Sequence, residues 1–230
     1  MDPKMIRYRA RMHLSGNWAV SVGVAAIACL LGGMMVGSMF LPKWEIQLQE
    51  YTFEALKNLN FNNFHMRLGS WNHVGLVAFL LGGVVQLGYA QFLLMQQDGE
   101  NPSFSVLFSQ FYRFGQGFAQ RFLRDLYTCL WTLLFVIPGI VKGISYSMTP
   151  FIMADHPEMS AQDAIRMSMD LMEGHKLDYF WLCMTFFGWD LLAVLTLNIG
   201  YLLLNPYRNA AIAAFYRELT AAAAETTEYI

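Results

Sequence analysis

The sequence predicts an all-α fold, a polytopic bundle of about six transmembrane helices with amphipathic helices at the membrane surface. Hydrophobic residues make up 56% of the 230 residues and charged residues only 14%, whereas a globular domain usually has about 45–50% apolar and about 25% charged residues. Several apolar runs approach the about 20 residues that a membrane-spanning helix needs. We therefore interpret residues 1–230 as a single integral membrane domain.

Charge and cysteine usage exclude several functional classes. The formal net charge is −2, and no concentrated basic surface is visible, so nucleic acid is not an expected partner. Cys29, Cys129 and Cys183 stand alone within apolar runs, and no two histidines have the spacing of a zinc site. We therefore expect neither a metal nor another cofactor. Motifs such as G-x-S-x-G and H-E-x-x-H are missing from the sequence, so no catalytic residue is assigned and the protein is not expected to be an enzyme.

The N-terminal half predicts two spans separated by a long outer loop. The first apolar run, residues 17–40, exceeds the about 7–15 residues of a signal-peptide core, so it is predicted to remain as a helix. Residues 42–72 carry apolar side chains at helical spacing among charges and amides, which predicts a surface helix in this loop. The second span is predicted at residues 73–96, because Gly99 and Pro102 follow it in a polar turn.

The segment around Pro138 and Gly139 leaves two topologies open. These residues either kink one long span or turn the chain between two spans, at 118–139 and 141–154. If the chain turns, most Lys and Arg residues fall on one side, as cytoplasmic loops require. We therefore favour six spans with both termini in the cytoplasm.

A polar segment at residues 159–174 predicts an amphipathic helix on the cytoplasmic membrane surface, with Ser160 as N-cap and Gly174 as C-cap. Two further spans, at 177–197 and 199–219, form a final hairpin. The charged face of the amphipathic helix carries the candidate docking residues for a protein partner: Arg166, Asp170 and Glu173.

The order of motifs in the second half points to a known family. The chain reads IPGIVKGISYSMTPFIMADHP, then SAQDAIRMSMDLMEGHK, then FFGWDLL, then NPYRNAAIAAFY. It resembles the bacterial integral-membrane family catalogued as domain of unknown function 975, whose function is unsettled. The Pro-Gly step and an A-x-x-x-S-x-x-x-M-x-G pattern are also similar to the membrane domains of some glycerophosphodiester phosphodiesterases. The resemblance implies a shared multi-span scaffold in a bacterial cytoplasmic membrane.

Two charges within the last hairpin give the candidate binding site. Asp190 lies about nine residues before the turn near residues 198–200 and Arg208 about nine after it, so at about 1.5 Å per residue they reach the same depth. An isolated charge there costs about 3 kcal/mol, so we expect the two to pair. They either fix the hairpin register or form a polar site together with further polar residues: Asn205, Tyr207 and Tyr146.

Three functions remain open from the sequence. The leading hypothesis is a non-enzymatic, permease-like or membrane-accessory protein with a polar intramembrane site between the last two spans. The alternative is a structural or partner-binding subunit that docks a protein through the cytoplasmic helix, and the third is an intramembrane enzyme. The expected partners are membrane lipid and either another protein or a second copy of the chain.

Overall fold

A computed structural model gives the structure of the protein, and it describes residues 2–31, 73–196 and 200–228. Every regular element within these residues is helical, which confirms the all-α prediction. The predicted outer loop at 42–72, with its surface helix, lies outside the described residues. So does the second half of the predicted first span, residues 32–40.

The helices of the described residues are shorter and more numerous than the predicted spans. The predicted spans at 141–154 and 177–197 each comprise two helices, because the chain breaks at residues 146–148 and 185–186. In chain order the helices are α1 (Pro3–Leu14), α2 (Trp18–Leu30), α3 (His73–Gln97), a 3₁₀ helix (Phe104–Arg113), α4 (Phe114–Leu134), α5 (Val136–Ser145), α6 (Thr149–Asp155), α7 (Ala161–Leu171), α8 (Lys176–Met184), α9 (Phe187–Leu195) and α10 (Tyr201–Glu228).

Few of these helices could cross a membrane alone. Among the described helices, one stretch of α3, Phe79–Gln97, is long and apolar enough, and 72% of it is buried inside the protein. Helices α1 and α2 pass the same test only as a pair, and they meet at 102°. The prediction of six spans is therefore not confirmed, since breaks and charged residues cut the apolar sequence into shorter pieces.

Helix α3 lies at the centre of the fold and packs closely on the 3₁₀ helix and on α4. A Cβ atom added to Gly88 would lie 2.0 Å from the carbonyl oxygen of Leu107. A Cβ atom on Gly83 would lie 2.2 Å from the carbonyl oxygen of Gly117. Because backbone atoms occupy the space, these crossings require glycine.

Helices α4 and α5 form an antiparallel hairpin, so the chain reverses at Phe135. The Lys142 amine lies 5.3 Å from the Trp131 ring centroid, and a Cβ atom on Gly139 would lie 2.6 Å from the Cα of Thr132. The chain therefore turns in this segment rather than continuing as one kinked helix, but it turns at Phe135 and not at Pro138 and Gly139. Pro138 lies in the first turn of α5, where its missing N–H has no helical acceptor.

Helix α7 has the predicted caps but not the predicted surroundings. Ser160 accepts a hydrogen bond from the Asp163 amide at 3.2 Å, and Gly174 has the positive φ, 80°, of a helix end. Its apolar face packs on α4, α6 and α10, so the expectation that this face lies on lipid is wrong. The opposite face exposes the candidate docking residues Arg166, Asp170 and Glu173.

Ser168, at the centre of the buried face of α7, forms hydrogen bonds with backbone groups at the break between α5 and α6. The Ser168 hydroxyl donates to the carbonyl of Ser145 at 2.7 Å and accepts from the amide of Met148 at 3.2 Å. These backbone groups lie where α5 ends and α6 begins. One buried hydroxyl therefore pairs a donor and an acceptor that the break leaves without helical partners.

Candidate functional site

The last hairpin, α9 and α10, brings Asp190 and Arg208 together. Helix α9 begins after the break at residues 185–186, and the Asp190 amide donates to the Phe186 carbonyl at 2.9 Å. The Arg208 guanidinium donates to the Asp190 carboxylate and forms an ion pair with it. The Arg208 side chain is only 8% exposed and that of Asp190 20% exposed. The two charges therefore lie at matching depth in the hairpin.

The surroundings of Arg208 are largely apolar. Its guanidinium carbon lies 5.6 Å from the centroid of the Phe186 ring, within cation–π range. Helix α10 continues through Pro206 without a break. The Asp190 carboxylate neutralises the charge of the Arg208 guanidinium.

Tyr207 connects the α9–α10 hairpin to α1 through a hydrogen bond and a ring contact. Its hydroxyl donates to the carbonyl of Arg7 at 3.4 Å, and its ring meets Phe186 edge-on at 5.3 Å between centroids. The guanidinium of Arg11 lies 5.9 Å from the Tyr207 ring centroid. Arg7 also donates to the carbonyl of Thr185 at 3.5 Å, at the break between α8 and α9.

Sequence reasoning missed the contribution of α1, which it treated only as a basic arm. The signal was present in the spacing of Ile6, Ala10 and Leu14, which recur every four residues. All three are buried in the structure, and α1 packs along α10.

A cavity of about 350 Å³ lies beside the ion pair, between the junction of α1 and α2 and the α9–α10 hairpin. Its walls are largely apolar, and among the described residues that line it only Arg11 is charged. Asp190 and Arg208 do not line it, so the cavity is not the polar site predicted between the last two spans. Its lining includes the large side chains of Trp18, Trp189, Leu192, Leu203 and Tyr207.

The structure also describes the two remaining predicted residues, Asn205 and Tyr146. Asn205 is half-buried on α10. Tyr146 is buried within the α4–α5 hairpin, where its ring lies 6.4 Å from that of Tyr127. Its placement follows from the reversal at Phe135, which turns this part of the chain towards α4.

Most buried polar side chains near the centre bond to one another. Gln120 donates to Gln86 at 3.2 Å, and Gln91 accepts from Gln110 at 2.6 Å. Asn209 reaches Tyr89 at 3.4 Å and so joins α10 to α3. These groups act as interhelical hydrogen-bond partners, which buried polar groups require whether or not a ligand is present.

A second charged cluster joins the ends of α3 and α6 to the interior of α10. Arg217 donates to Asp155 at 2.8 Å and also to Asp98, and the Tyr216 hydroxyl donates to Asp155 at 3.2 Å. No local pattern marks this cluster in the sequence, because Asp98, Asp155 and Arg217 are far apart along the chain. Nearby, Arg9 forms an ion pair with Glu218 at 3.1 Å. Among the described residues, no group of His, Cys, Asp and Glu side chains is arranged to hold a metal ion.

Comparison with known proteins gives one match. Residues 133–223, which hold α5 to α9 and most of α10, match the model of a family described as "Protein of unknown function (DUF975)". No curated protein and no solved structure matches the chain, so the similarity to glycerophosphodiester phosphodiesterase membrane domains is not shown. Residues 133–223 are therefore similar to the family described as Protein of unknown function (DUF975).

Proposed function

We propose that the protein is a non-enzymatic integral protein of the bacterial cytoplasmic membrane, with an accessory role in which it holds an anionic lipid against its last hairpin. The observation that carries this proposal is the apolar cavity with Arg11 as its charged lining residue. An acyl chain fits the apolar walls, and a guanidinium binds phosphate through charge-assisted hydrogen bonds. Among the described residues, no carboxylate lies within ion-pair distance of Arg11.

The exposed surface supports a lipid environment. Large apolar side chains are uncovered on several helices, among them Leu133 at 85%, Ile137 at 76%, Leu191 at 62% and Leu203 at 59% exposure. Soluble monomers rarely expose contiguous apolar patches of more than a few hundred Å². Acyl chains would cover these side chains without a protein partner.

The contacts at one end of the fold support cytoplasmic termini. Asn17 bonds to Asn101, Arg9 pairs with Glu218, and Arg217 pairs with Asp98. These contacts join the N-terminal arm, the turn after α3 and the end of α10, which charge counting assigns to the cytoplasm. Any even number of crossings, including the six expected from the sequence, places both termini on the same side of the membrane.

The cavity favours the accessory role over a permease. A permease for polar solutes needs polar groups that face a water-filled path. Here Asp190 and Arg208 neutralise each other outside the cavity, and the lining is largely apolar. We therefore assign the ion pair to hairpin structure and the cavity to lipid.

Retention of lipid by the purified protein tests this proposal. The full chain would be extracted from membranes supplemented with phosphatidylglycerol or phosphatidylcholine, and bound lipid would be counted by native mass spectrometry. We expect phosphatidylglycerol to be retained by the unchanged protein and by the control Lys4→Gln, and to be lost from Arg11→Gln. Lys4 lies on the same helix but outside the cavity lining. Equal retention of both lipids, or full retention by Arg11→Gln, would contradict the proposal.

A second candidate function is docking of a soluble protein through α7. The observation that favours it is the division of this helix, whose apolar face is used by the fold while Arg166, Asp170 and Glu173 remain exposed. A photo-crosslinking residue at position 170 would then give one discrete adduct in cells. Neutralising Arg166 and Glu173 should abolish that adduct without changing expression, and an unchanged adduct would argue against this role.

A further inference from the structure

The apolar part of the α4–α5 hairpin is too short to cross a bilayer. Between Asp125 and Lys142 the sequence reads LYTCLWTLLFVIPGIV and has no charged residue. The α4 arm, residues 126–135, spans about 15 Å and the α5 arm, residues 136–141, about 9 Å, at about 1.5 Å per residue. The hydrocarbon core of a bilayer is about 30 Å thick, so each arm reaches at most about half of its depth.

The tip of this hairpin is suited to hydrocarbon rather than to water. Leu133, Leu134, Phe135 and Ile137 are between 61% and 85% exposed, and no polar side chain stands at the turn. The Phe135 amide donates to the carbonyl of Trp131 at 3.0 Å, and its carbonyl accepts from the amide of Gly139 at 3.1 Å. The backbone of the turn residue is thus paired within the hairpin, as it must be in a medium that offers no hydrogen bonds.

The two threonine hydroxyl groups on the α4 arm are paired locally. Thr128 donates to the carbonyl of Arg124 at 2.8 Å, and Thr132 donates to the carbonyl of Thr128 at 2.8 Å. Neither hydroxyl needs water. The arm can therefore enter hydrocarbon without leaving either threonine hydroxyl unpaired.

Both arms become polar at the same end. Asp125 on α4 pairs with Arg121 at 3.7 Å and with Arg124 at 3.3 Å. On α5, the Lys142 amine lies 4.0 Å from the sulfur of Met169 in α7. Because α7 exposes its charged face, the base of the hairpin lies at the level of a polar surface, and the tip lies only about 10–15 Å beyond it.

We propose that residues 126–141 form a re-entrant hairpin, which inserts into the acyl chains of the cytoplasmic leaflet and returns to the same side. It replaces the two crossings expected at 118–139 and 141–154 and leaves the sidedness of the termini unchanged. This inference rests on the membrane placement in the proposed function, but not on lipid binding in the cavity. Its partner is the hydrocarbon of a single leaflet.

Depth measurement by spin labelling tests the proposal. Cys29, Cys129 and Cys183 would be replaced by alanine in the full chain, and single cysteines would be placed at positions 126, 130, 133 and 135. Position 170 on the exposed face of α7 would serve as the aqueous control. Each variant would be spin-labelled and reconstituted into phosphatidylglycerol-containing vesicles. The collision rates of each label with oxygen and with a water-soluble nickel chelate then report its depth.

A re-entrant hairpin and a crossing hairpin give different depth profiles. We expect the ratio of oxygen to nickel collisions to rise from position 126 through 130 to 133 and 135, with position 170 at the aqueous limit. A hairpin that crosses would instead show its deepest label near position 130 and nickel-accessible labels at 133 and 135, which overturns the proposal. Nickel access at all five positions would overturn the membrane placement as well. Because Leu133 is 85% exposed, the label at 133 still reports depth if a label at 135 disturbs the turn.

Discussion

Asp190 and Arg208 are separated by 18 residues along the chain and form an ion pair across the α9–α10 hairpin. The residues beside Asp190 are apolar, whereas Asn205, Tyr207 and Asn209 lie close to Arg208 along the chain. We expect the pair to fix the register of the hairpin, because sliding one helix past the other by a turn would separate the two charges.

Breaking this pair should destabilise the protein strongly. Removal of one partner leaves the other charge in a poorly solvated place, which costs about 3–5 kcal/mol for a buried pair. We expect Asp190→Asn and Arg208→Gln each to lower the unfolding temperature in detergent. The exchange Asp190→Arg with Arg208→Asp should restore most of the stability and the retention of phosphatidylglycerol. Recovery of stability without lipid retention would mean that these residues handle the ligand directly.

The Ser168 hydroxyl should contribute more to the stability of the protein than an exposed serine hydroxyl does. In Ser168→Ala, the Met148 amide and the Ser145 carbonyl lose their partner in a fully buried place. We expect a loss of about 1–2 kcal/mol of unfolding free energy. The control Ser105→Ala removes an exposed hydroxyl and should change stability by less than about 0.5 kcal/mol. Equal midpoints of thermal unfolding for the two variants would contradict the role of Ser168 at the helix break.

Replacing each of two glycines on α4 by alanine should change the unfolding free energy in opposite directions. A Cβ atom on Gly117 would lie 2.8 Å from the Cα of Val84, so α3 and α4 would have to separate. We expect Gly117→Ala to cost about 1–3 kcal/mol. Nothing lies within 4 Å of a Cβ atom on Gly115, so Gly115→Ala should gain up to about 1 kcal/mol from helix propensity. Thermal unfolding of both variants measures the difference, and a loss at both positions would count against close packing as its cause.

The two carboxylates that bind Arg217 should contribute unequally to the unfolding free energy. Asp155 accepts from both Arg217 and Tyr216 and is 29% exposed, whereas Asp98 contacts Arg217 alone and is 46% exposed. We expect Asp155→Asn to lower the unfolding free energy by about 1 kcal/mol. Asp98→Asn should lower it by less than about 0.5 kcal/mol. The comparison should be made at low salt, because salt screens the exposed pair first.

Local signals in the sequence were sufficient for the caps and for the last hairpin. Ser160 and Gly174 mark the ends of α7 through their own side-chain and backbone preferences, which act within one helical turn. Asp190 and Arg208 could be paired from the sequence because a short turn fixes the relative depth of its two helices. In each case the deciding interaction lies within about 20 residues of chain.

The helix breaks and the long-range contacts could not be predicted in this way. No proline lies at the break at residues 185–186, and Pro150 follows the break at 146–148 in the first turn of α6, a position that a continuous kinked helix would also tolerate. The break at 146–148 is sealed by Ser168, and Arg7 bonds to a carbonyl of the break at 185–186. Both partners are distant along the chain, and their contribution depends on the assembled bundle. The predicted number of crossings is not confirmed for the same reason, since apolar length alone does not show where a helix ends.

The packing of the first helix on the last has a consequence for biosynthesis. Ile6, Ala10 and Leu14 are covered in part by α10, which begins at Tyr201 and is therefore synthesised last among the described helices. Until then this apolar stripe lacks its native cover, so the newborn protein must shield it with lipid, insertion machinery or a chaperone. Chains that terminate before Tyr201 lack this cover altogether.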